Sequence, residues 1–599
     1  MPQEIRQCQN CKKGFTIEPE DFDFYEKIKV PPPTFCPECR LVRRLAWRNE
    51  RLLYKRKCDL CGKSIISIYH LDSYARVYCP KCWWSDNWDQ FLAGREYNFA
   101  KPFFEQFGSL LRKAPVVSLN GKNHVDTEYF NYAFDLKNCF LVFSSLDVEN
   151  GSYFARGLYV KDVMDIWQTR RSERCYETFE CNKCFNLFFS KYCEGCSDSF
   201  FLYDCRNCSN CFGCVNLRSK NHCIFNKQYS KDEYATKLKE MNFGSYFGLM
   251  QARESFENFF LGFPKRYAMI TKSVNAYGDD IFNANNCINC FQAQDEIKDC
   301  KYLVLIADRV ANVFDATYGG FGLESSYEGL GIIRNGINFS GQITYSYNIQ
   351  YSHNCVDCRD LFGCLGLRNK QYCILNKQYT KEEYEALVPK IIEQMNAMPY
   401  VDKKGRVYKY GEFFPSELSP FCYNETIAQE YFPLTKEQAQ EQGYFWKDPE
   451  PRNYQIDLTT DQLPDDIKDV PDDIIGKVIE CQHQGKCNEQ CTEAFRIIEP
   501  ELAFYRRMNL PLPRLCPNCR HYQRLKQRNP LKLWKRQCQC TGKTSVSYTG
   551  KTGGSSAVYT NTCQHEHGDS PCPNTFETSY APNRPEIVYC ESCYLKEVM

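Results

Sequence analysis

The sequence predicts a mixed, mainly β fold, with a duplicated centre of short repeated strands between cysteine-rich modules at the two ends. Three observations predict this arrangement. The text after Cys11 (KKGFTIEP) returns after Cys491 (TEAFRIIEP), so the end of the chain copies its beginning. Residues 211–234 return as residues 361–384, so the centre is duplicated as well. Short apolar and aromatic runs also recur through the centre about every 12 residues, which is typical of stacked β coils.

The composition bounds the class of protein. A chain of 599 residues should hold several domains, each large enough to bury a core. Its 75 Lys and Arg balance 74 Asp and Glu, so any basic surface must be local. The N-terminus lacks a signal-peptide core and no apolar run is long enough to span a membrane, which predicts a cytoplasmic protein. In that reducing compartment, 38 Cys indicate metal sites or buried thiols; a secreted disulfide scaffold is the alternative.

The first module carries cysteine pairs with the spacing of metal knuckles. A Cys-x-x-Cys turn points both sulfurs at one place, and two such turns supply the four ligands of a tetrahedral zinc ion. The sequence therefore predicts two zinc sites within residues 1–95. Their ligands would be Cys8, Cys11, Cys36 and Cys39 in one site, and Cys58, Cys61, Cys79 and Cys82 in the other.

The C-terminal copy departs from this spacing, and its ligands are less regular. The predicted ligands are Cys487, Cys491, Cys516 and Cys519, then Cys538, Cys540, Cys590 and Cys593. The first knuckle here is one residue longer than in the N-terminal copy, and Cys481 and His483 lie just upstream as possible substitutes. The knuckle at Cys538 is one residue too short. An insertion after it brings Cys563, His565, His567 and Cys572, which hold a further metal or none; we expect three to four Zn²⁺ ions in all.

A family resemblance supports the zinc prediction. Residues 6–45, with a Cys-x-x-Cys knuckle, a Phe-containing strand, an acidic-aromatic helix and then FCPECR, resemble the zinc-ribbon (treble-clef-like) domain family. Residues 485–525 resemble it less closely. The whole chain is similar to large bacterial Cys-rich proteins with such ribbons at their ends. The resemblance implies zinc binding and brings no activity with it.

A basic run follows the Cys-Pro-x-Cys knuckle in each copy. Spacings of three and four residues place many of these charges on one helix face, with Trp and Tyr between them. Basic and aromatic side chains beside a zinc knuckle are typical of a phosphate-contacting surface; the alternative is a solvated helix packed on the ribbon. The predicted nucleic-acid-binding residues are Arg40, Arg43, Arg44, Arg48 and Arg51 in the first copy, and Arg520, Arg524, Lys526 and Arg528 in the second.

The duplicated centre is predicted to be two β-solenoid blocks, each closed by a helix that caps its open sheet edge. The first block is rich in Cys, but the second has Arg334, Ile343 and Ser346 where the first has Cys184, Cys193 and Cys196. Ile and Ser suit core and small ladder positions, so the pattern favours stacked buried thiols. Additional metal and disulfides stay as alternatives, and the pattern does not account for Arg334.

The repeats divide the chain into seven segments. They are a paired zinc-ribbon module at 1–95, a connector at 96–128, β-solenoid block 1 with its helical cap at 129–241, a helical connector at 242–277, β-solenoid block 2 with its cap at 278–395, an irregular segment with an acidic linker at 396–476, and the second zinc-ribbon module at 477–599.

The chain contains no recognisable catalytic motif: there is no Walker loop, Gly-x-Gly-x-x-Gly or Gly-x-Ser-x-Gly. We therefore predict no catalytic residue. His521 beside a knuckle allows a nuclease with a His base, but the first copy has Leu41 there. Asp165, Asp315 and Asp204 allow a polysaccharide-acting β-helix enzyme, although such acids are equally turn residues.

These observations together predict a zinc-binding scaffold or binding protein. The expected contact is the two basic helices against a nucleic-acid backbone or another polyanion. A protein partner is the close rival, and the alternative is a solenoid that binds protein or glycan, or acts on a polysaccharide. The sequence does not predict an oligomeric state.

Overall fold

The structure is a computed structural model that describes residues 2–153, 155–161, 167–170, 175–450, 452–546 and 558–598. The predicted mainly β fold is confirmed, with short helices interspersed among the strands. Among the described helices, none is long and apolar enough to cross a membrane.

Most helices lie in the terminal modules and beside the repeated centre. The helices at Pro37, Pro80 and Pro517 each begin at the proline of a Cys-Pro-x-Cys knuckle, since the fixed φ of proline suits a first helical turn. The α-helices are Pro19–Lys27, Pro37–Leu45, Pro80–Trp83, Phe103–Leu111, Lys231–Glu240, Tyr246–Leu261, Lys381–Ala397, Ile427–Tyr431, Lys436–Glu441, Glu499–Met508, Pro517–Leu525 and Glu591–Val598. Short 3₁₀ turns are Ser416–Leu418, Tyr423–Glu425, Thr460–Gln462, Ile467–Asp469 and Asp472–Ile474.

The centre consists of two stacks of short strands. The first stack comprises Gly121–Val125, Glu128–Asn131, Ala133–Lys137, Phe140–Phe143, Leu146–Glu149, Ala155–Lys161, Trp167–Arg170, Phe179–Asn182, Phe185–Phe188, Ser197–Phe200, Ser209–Phe212, Asn221–Ile224 and Lys227–Gln228. The second stack comprises Ile270–Thr271, Val274–Lys301, Val304–Ala307, Val310–Gly320, Leu323–Ile333, Ile337–Thr344, Tyr347–Gln350, His353–Val356, Arg359–Phe362, Gln371–Ile374 and Lys377–Gln378.

The remaining strands form two-stranded sheets. They are Glu4–Gln7, Gly14–Ile17, Tyr54–Lys57, Ser64–Ser67, Arg76–Tyr78, Pro115–Val117, Lys265–Arg266, Tyr400–Val401, Val407–Tyr408, Ile479–Glu480, Ala494–Phe495, Trp534–Gln537, Thr544–Val546, Val558–Thr560, Thr575–Thr578 and Val588–Tyr589.

The parallel pairing in the first stack follows the predicted period. Gly121 pairs with Ala133, and Phe185 pairs with Ser197, which is 12 residues later in both cases. A left-handed residue recurs at every third position, for example at Asn207, Asn210 and Gly213. Each such residue turns the chain, so four turns complete one twelve-residue layer. Asn, Asp and Gly are common there because they tolerate positive φ best.

The residue after each left-handed position faces the interior of the stack. Cys205, Cys208, Cys211 and Cys214 occupy successive interior positions and are at most 1% exposed. Their thiols donate to backbone carbonyls; the thiol of Cys205, for instance, lies 3.5 Å from the carbonyl oxygens of both Tyr203 and Cys214. So narrow an interior favours small side chains, and Cys fills it as a small hydrophobe.

The second stack has uneven layers, which explains why the two copies of the sequence drift out of step. Pairings join residues 13 apart from Phe291 to Val304, then 11 apart from Tyr327 to Asn338, and 12 apart afterwards. The longer layers carry two adjacent left-handed residues at one turn, as at Asp308 and Arg309.

The same unevenness accounts for one sequence position that had no explanation. Ile343 and Ser346 are fully buried, as expected of interior positions. Arg334 instead lies at an exposed left-handed turn of the shortened layer, so it does not occupy the interior position that Cys184 holds.

A helix covers the end of each stack. Lys231–Glu240 follows the first and Lys381–Ala397 follows the second, and both begin with a capping box, formed by Ser230 with Glu233 and by Thr380 with Glu383. The regular pairing extends beyond the predicted blocks, since it begins at Gly121 in the first stack and at Ile270 in the second.

The N-terminal module, residues 2–83, packs on the second stack. Phe24 stacks on Phe314 with ring centroids 3.8 Å apart, and Tyr25 meets Tyr327 edge to face at 5.4 Å. The helix Pro37–Leu45, here the N-terminal arginine helix, lies against the strands Val310–Gly320 and Leu323–Ile333.

The C-terminal module, residues 477–598, packs on the first stack. Phe504 lies 5.8 Å from Tyr176, and the hydroxyl of Tyr594 donates to Asp204. Lys265 pairs with Val588 to join the segment between the stacks to this module. The docking is therefore crossed: each stack receives the module from the far end of the chain.

Candidate metal centres and arginine helices

The structure brings both predicted ligand sets of the N-terminal module together. The sulfurs of Cys8, Cys11, Cys36 and Cys39 lie within 4.8 Å of one another, and so do those of Cys58, Cys61, Cys79 and Cys82. The contacting pair Cys11 and Cys36 is separated by 3.7 Å between sulfurs. Four sulfurs at about 2.3 Å from one zinc ion lie about 3.8 Å apart, whereas a disulfide needs about 2.05 Å. Each group can therefore hold a metal ion.

One backbone hydrogen bond marks the first ligand of every group. The N–H of the third Cys donates to the sulfur of the first, as the N–H of Cys36 does to Cys8 at 3.3 Å and that of Cys79 does to Cys58 at 3.2 Å. This bond stabilises the thiolate, which is the form that binds metal.

By this criterion Cys481, and not Cys487, is the first ligand of the third group. The N–H of Cys516 donates to the sulfur of Cys481 at 3.2 Å. The group consists of Cys481, Cys491, Cys516 and Cys519. Cys487, which the sequence placed in the site, lies beside it as a fifth thiol, 3.7 Å from the sulfur of Cys519. The longer loop from Cys481 to Cys491 replaces the short knuckle.

The fourth group takes Cys572 where the sequence predicted Cys540. It consists of Cys538, Cys572, Cys590 and Cys593, and the N–H of Cys590 donates to Cys538 at 3.2 Å. The strand Thr575–Thr578 pairs with Trp534–Gln537 just as Ser64–Ser67 pairs with Tyr54–Lys57. Cys572 stands three residues before its strand, as Cys61 does. Cys572-x-x-Thr was the sequence signal for this ligand, hidden because the insertion separates it from Cys538.

At least one thiol in each group is shifted toward the thiolate. Burial raises the pKa of Cys58, but N–H groups of Cys61, Cys79 and Leu60 outweigh it and lower the pKa to about 7. Contact with the Cys538 thiol lowers the pKa of Cys590 to about 3.

The other two groups behave alike. Hydrogen bonds from Cys36 and Cys39 lower the pKa of Cys8. Hydrogen bonds from Cys481, Cys491 and Cys519 lower that of Cys516.

The arginines predicted to contact nucleic acid from the N-terminal arginine helix are buried instead. Arg40 donates to Asp315 at 2.7 Å, and Arg43 donates to Glu328 at 2.8 Å and to Glu412 at 2.9 Å. Arg44 donates to Asp315 at 3.1 Å. Arg40, Arg43 and Arg44 are at most 2% exposed, because the helix face that carries them is seated on the second stack.

Arg48 and Arg51 are also taken up inside the molecule. The guanidinium of Arg48 lies between the rings of Tyr132 in the first stack and Tyr318 in the second, 3.5 Å and 4.2 Å from their centroids. Arg51 is buried and lies over the ring of Phe143. This segment joins the two stacks and is not presented to a ligand.

The C-terminal arginine helix, Pro517–Leu525, repeats this arrangement in part. Arg520 is buried and donates to Glu501 and to the hydroxyl of Tyr505. Arg524 is buried too, and Arg528, half-buried, lies 3.5 Å from the ring centroid of Tyr431. Of the predicted contact residues on this side, Lys526 is exposed, and it is paired with Glu489.

The candidate catalytic side chains are placed as structural groups. Asp315 is fully buried between arginines, and Asp204 is buried with Arg218 and Tyr594. Asp165 lies outside the described residues. His521 is buried 3.2 Å from Glu430, and burial lowers its pKa well below the ordinary range. None of the described three faces solvent as a glycosidase acid or nuclease base must.

Comparison with known proteins yields little. Neither a scan against protein-family models nor a search of curated proteins finds a match. One solved structure, assigned as an acetyltransferase from Desulfovibrio desulfuricans G20, aligns over 48% of this chain and 75% of that chain at 10% identity. The TM-score is 0.08, and a likeness at that level supports no conclusion about fold or activity.

Proposed function

We propose that this protein is a zinc-stabilised scaffold that binds a nucleic-acid backbone. In this proposal the two stacks are β-solenoids, the thiolate groups hold zinc, and the zinc-ribbon modules brace the solenoids. The observation that carries the metal part is the four groups of cysteines, each with sulfurs close enough for one ion. Four thiolates saturate a tetrahedral zinc ion, so such sites stabilise structure and leave no open position for chemistry.

Burial of the arginines moves the proposed contact surface to the hairpin of the N-terminal module. Lys55 and Lys57 are exposed and line one open depression with Arg56. Asp59 lines it too, paired with Arg56, so the depression is basic on balance. A local cluster of this kind attracts phosphates even on a chain whose net charge is near zero.

Binding to a single-stranded RNA oligonucleotide at several salt concentrations tests the contact surface. The double variant Lys55→Glu, Lys57→Glu should bind more weakly, and the slope of log K against log salt should shrink by about 1.4 for two lost phosphate contacts. Lys237→Glu, Lys239→Glu, on the exposed face of the first capping helix, is the matched control. Equal binding by both variants would contradict the proposal, and binding of heparin alone would replace nucleic acid by another polyanion.

A groove on the second stack favours a second candidate, binding of a protein segment or glycan. The groove is open, has a volume of about 580 Å³ and lies where the longer layers carry their extra residue. Lys272, Lys298 and Arg309 alternate there with Glu296 and Glu324, which suits a ligand of mixed charge. Loss of binding in Lys298→Glu but not in Lys55→Glu would favour this candidate.

A further inference from the structure

The C-terminal module contains a second set of metal-ligand side chains beside its four-cysteine group. Cys540, His565, His567 and Cys593 have ligand atoms within 4.8 Å of one another. Cys593 belongs to both sets, and its sulfur lies 3.7 Å from that of Cys572 and 3.4 Å from Nε2 of His567.

We propose that this module holds two metal ions bridged by the Cys593 thiolate. The proposal deepens the metal binding proposed above and depends on it. One ion takes Cys538, Cys572, Cys590 and Cys593. The other takes Cys540, His565, His567 and Cys593, a Cys₂His₂ set that saturates a tetrahedral zinc ion.

Neighbouring hydrogen bonds leave one nitrogen lone pair on each histidine for a metal. The carbonyl of Ser570 can only accept, so Nδ1 of His567, at 2.6 Å, carries the hydrogen and Nε2 is left to coordinate. The carboxylate of Glu597 accepts from Nε2 of His565 at 2.8 Å, which leaves Nδ1 free. A carboxylate behind a coordinating histidine is a common partner in metal sites.

Glu597 and Asn561 are held in place for these roles. The carboxylate of Glu597 also accepts from the hydroxyl of Tyr559 and from Thr562, each at 2.8 Å. Asn561 accepts from the hydroxyl of Tyr589 at 2.6 Å, which turns its amide toward Cys540, and that amide donates to the sulfur at 3.2 Å. A donor aimed at sulfur stabilises a thiolate.

Charge also favours two ions. Cys540 is fully buried against the four-cysteine group. Five buried thiolates around a single divalent ion would carry a net charge of about −3, which is costly to remove from water. A second divalent ion reduces this to about −1 and gives every thiolate a metal partner.

The metal content of the full-length protein, measured by elemental mass spectrometry, tests the proposal. Wild type should hold one ion more than the four cysteine groups require. Cys540→Ser and His567→Ala should each lose one ion, and Cys593→Ser should lose two. Cys563→Ser is the matched control, because this thiol lies in the same insertion, contacts Glu597 and belongs to neither set; it should lose none.

Cadmium-113 NMR supplies a readout that does not depend on a variant that folds. A bridging thiolate couples the two cadmium nuclei of substituted wild type, so two resonances of this module should be split, and the splitting should vanish in Cys540→Ser. Four ions in wild type with no loss in His567→Ala would overturn the two-ion centre and leave the proposed function intact. Five ions without splitting would overturn the bridge. A protein without bound metal would overturn the proposed zinc scaffold itself.

Discussion

Replacement of Asp315 by Asn tests whether the buried ion pairs hold the N-terminal module on the second stack. The fully buried Asp315 carboxylate accepts from both Arg40 and Arg44. With its charge removed, both guanidiniums are left with Glu328, 3.9 Å and 3.6 Å away. Breaking a buried pair by neutralising one partner costs about 3–5 kcal/mol, because the remaining charge stays out of water. The cost appears as easier opening of the N-terminal arginine helix.

Hydrogen exchange of residues 37–45 measures that opening directly. A loss of about 3–5 kcal/mol corresponds to exchange faster by about 10²- to 10³-fold. Asp308→Asn is the matched control, because Asp308 also occupies a left-handed turn, which Asn tolerates, but its pair with Arg309 is exposed. Exposed pairs contribute about 0–1 kcal/mol, so the control should change exchange by less than about fivefold. Equal exchange in the two variants would refute the view that these pairs hold the module.

Three further predictions concern the metal, the acid response and the stack interior. Cys36→Ser should lose one ion and unfold the N-terminal module, because metal binding and folding are coupled in such modules; near-UV circular dichroism and protease resistance like those of Cys422→Ser would contradict this. Burial lowers the pKa of His353 to about 4, so the folded state excludes a proton that the unfolded chain accepts near pH 6.5. Stability should therefore be lost as the pH falls from 6.5 to 4, by about 2 kcal/mol at pH 5 relative to His353→Gln, and parallel denaturation curves at pH 7 and 5 would argue against it. Leu361→Ala, in the stack interior, should cost about 2–5 kcal/mol, whereas Leu71→Ala, at 63% exposure, should cost less than about 0.5; equal midpoints in urea would count against the interior assignment.

Local spacing made much of this fold predictable. The Cys-x-x-Cys pairs of the N-terminal module specify their own geometry, because a short turn can point two sulfurs in one direction only. The twelve-residue period likewise predicted which residues pair in the first stack. In the second stack the layers of 13 and 11 residues broke the correspondence, which is why Arg334 had no explanation from the sequence.

Long-range partners could not be predicted from spacing. A basic run such as Arg40 to Arg51 resembles a solvent-exposed surface, because arginine is rarely buried unless it is paired. Its acceptors, Asp315 and Glu328, lie more than 250 residues away in the sequence. Cys572 was missed as a ligand for a related reason: the insertion separates it from Cys538, although the two flank paired strands.

The crossed docking sets an order of events during synthesis. The N-terminal arginine helix is complete at residue 45, but Glu328, which it needs, is made about 280 residues later. At about 5–20 residues per second, these arginines wait roughly 15–60 s for their carboxylates. The first stack waits in turn for the C-terminal module, which is synthesised last. Neither half of the chain can bury its charges alone, so a nascent or truncated chain offers basic helices that the finished protein conceals.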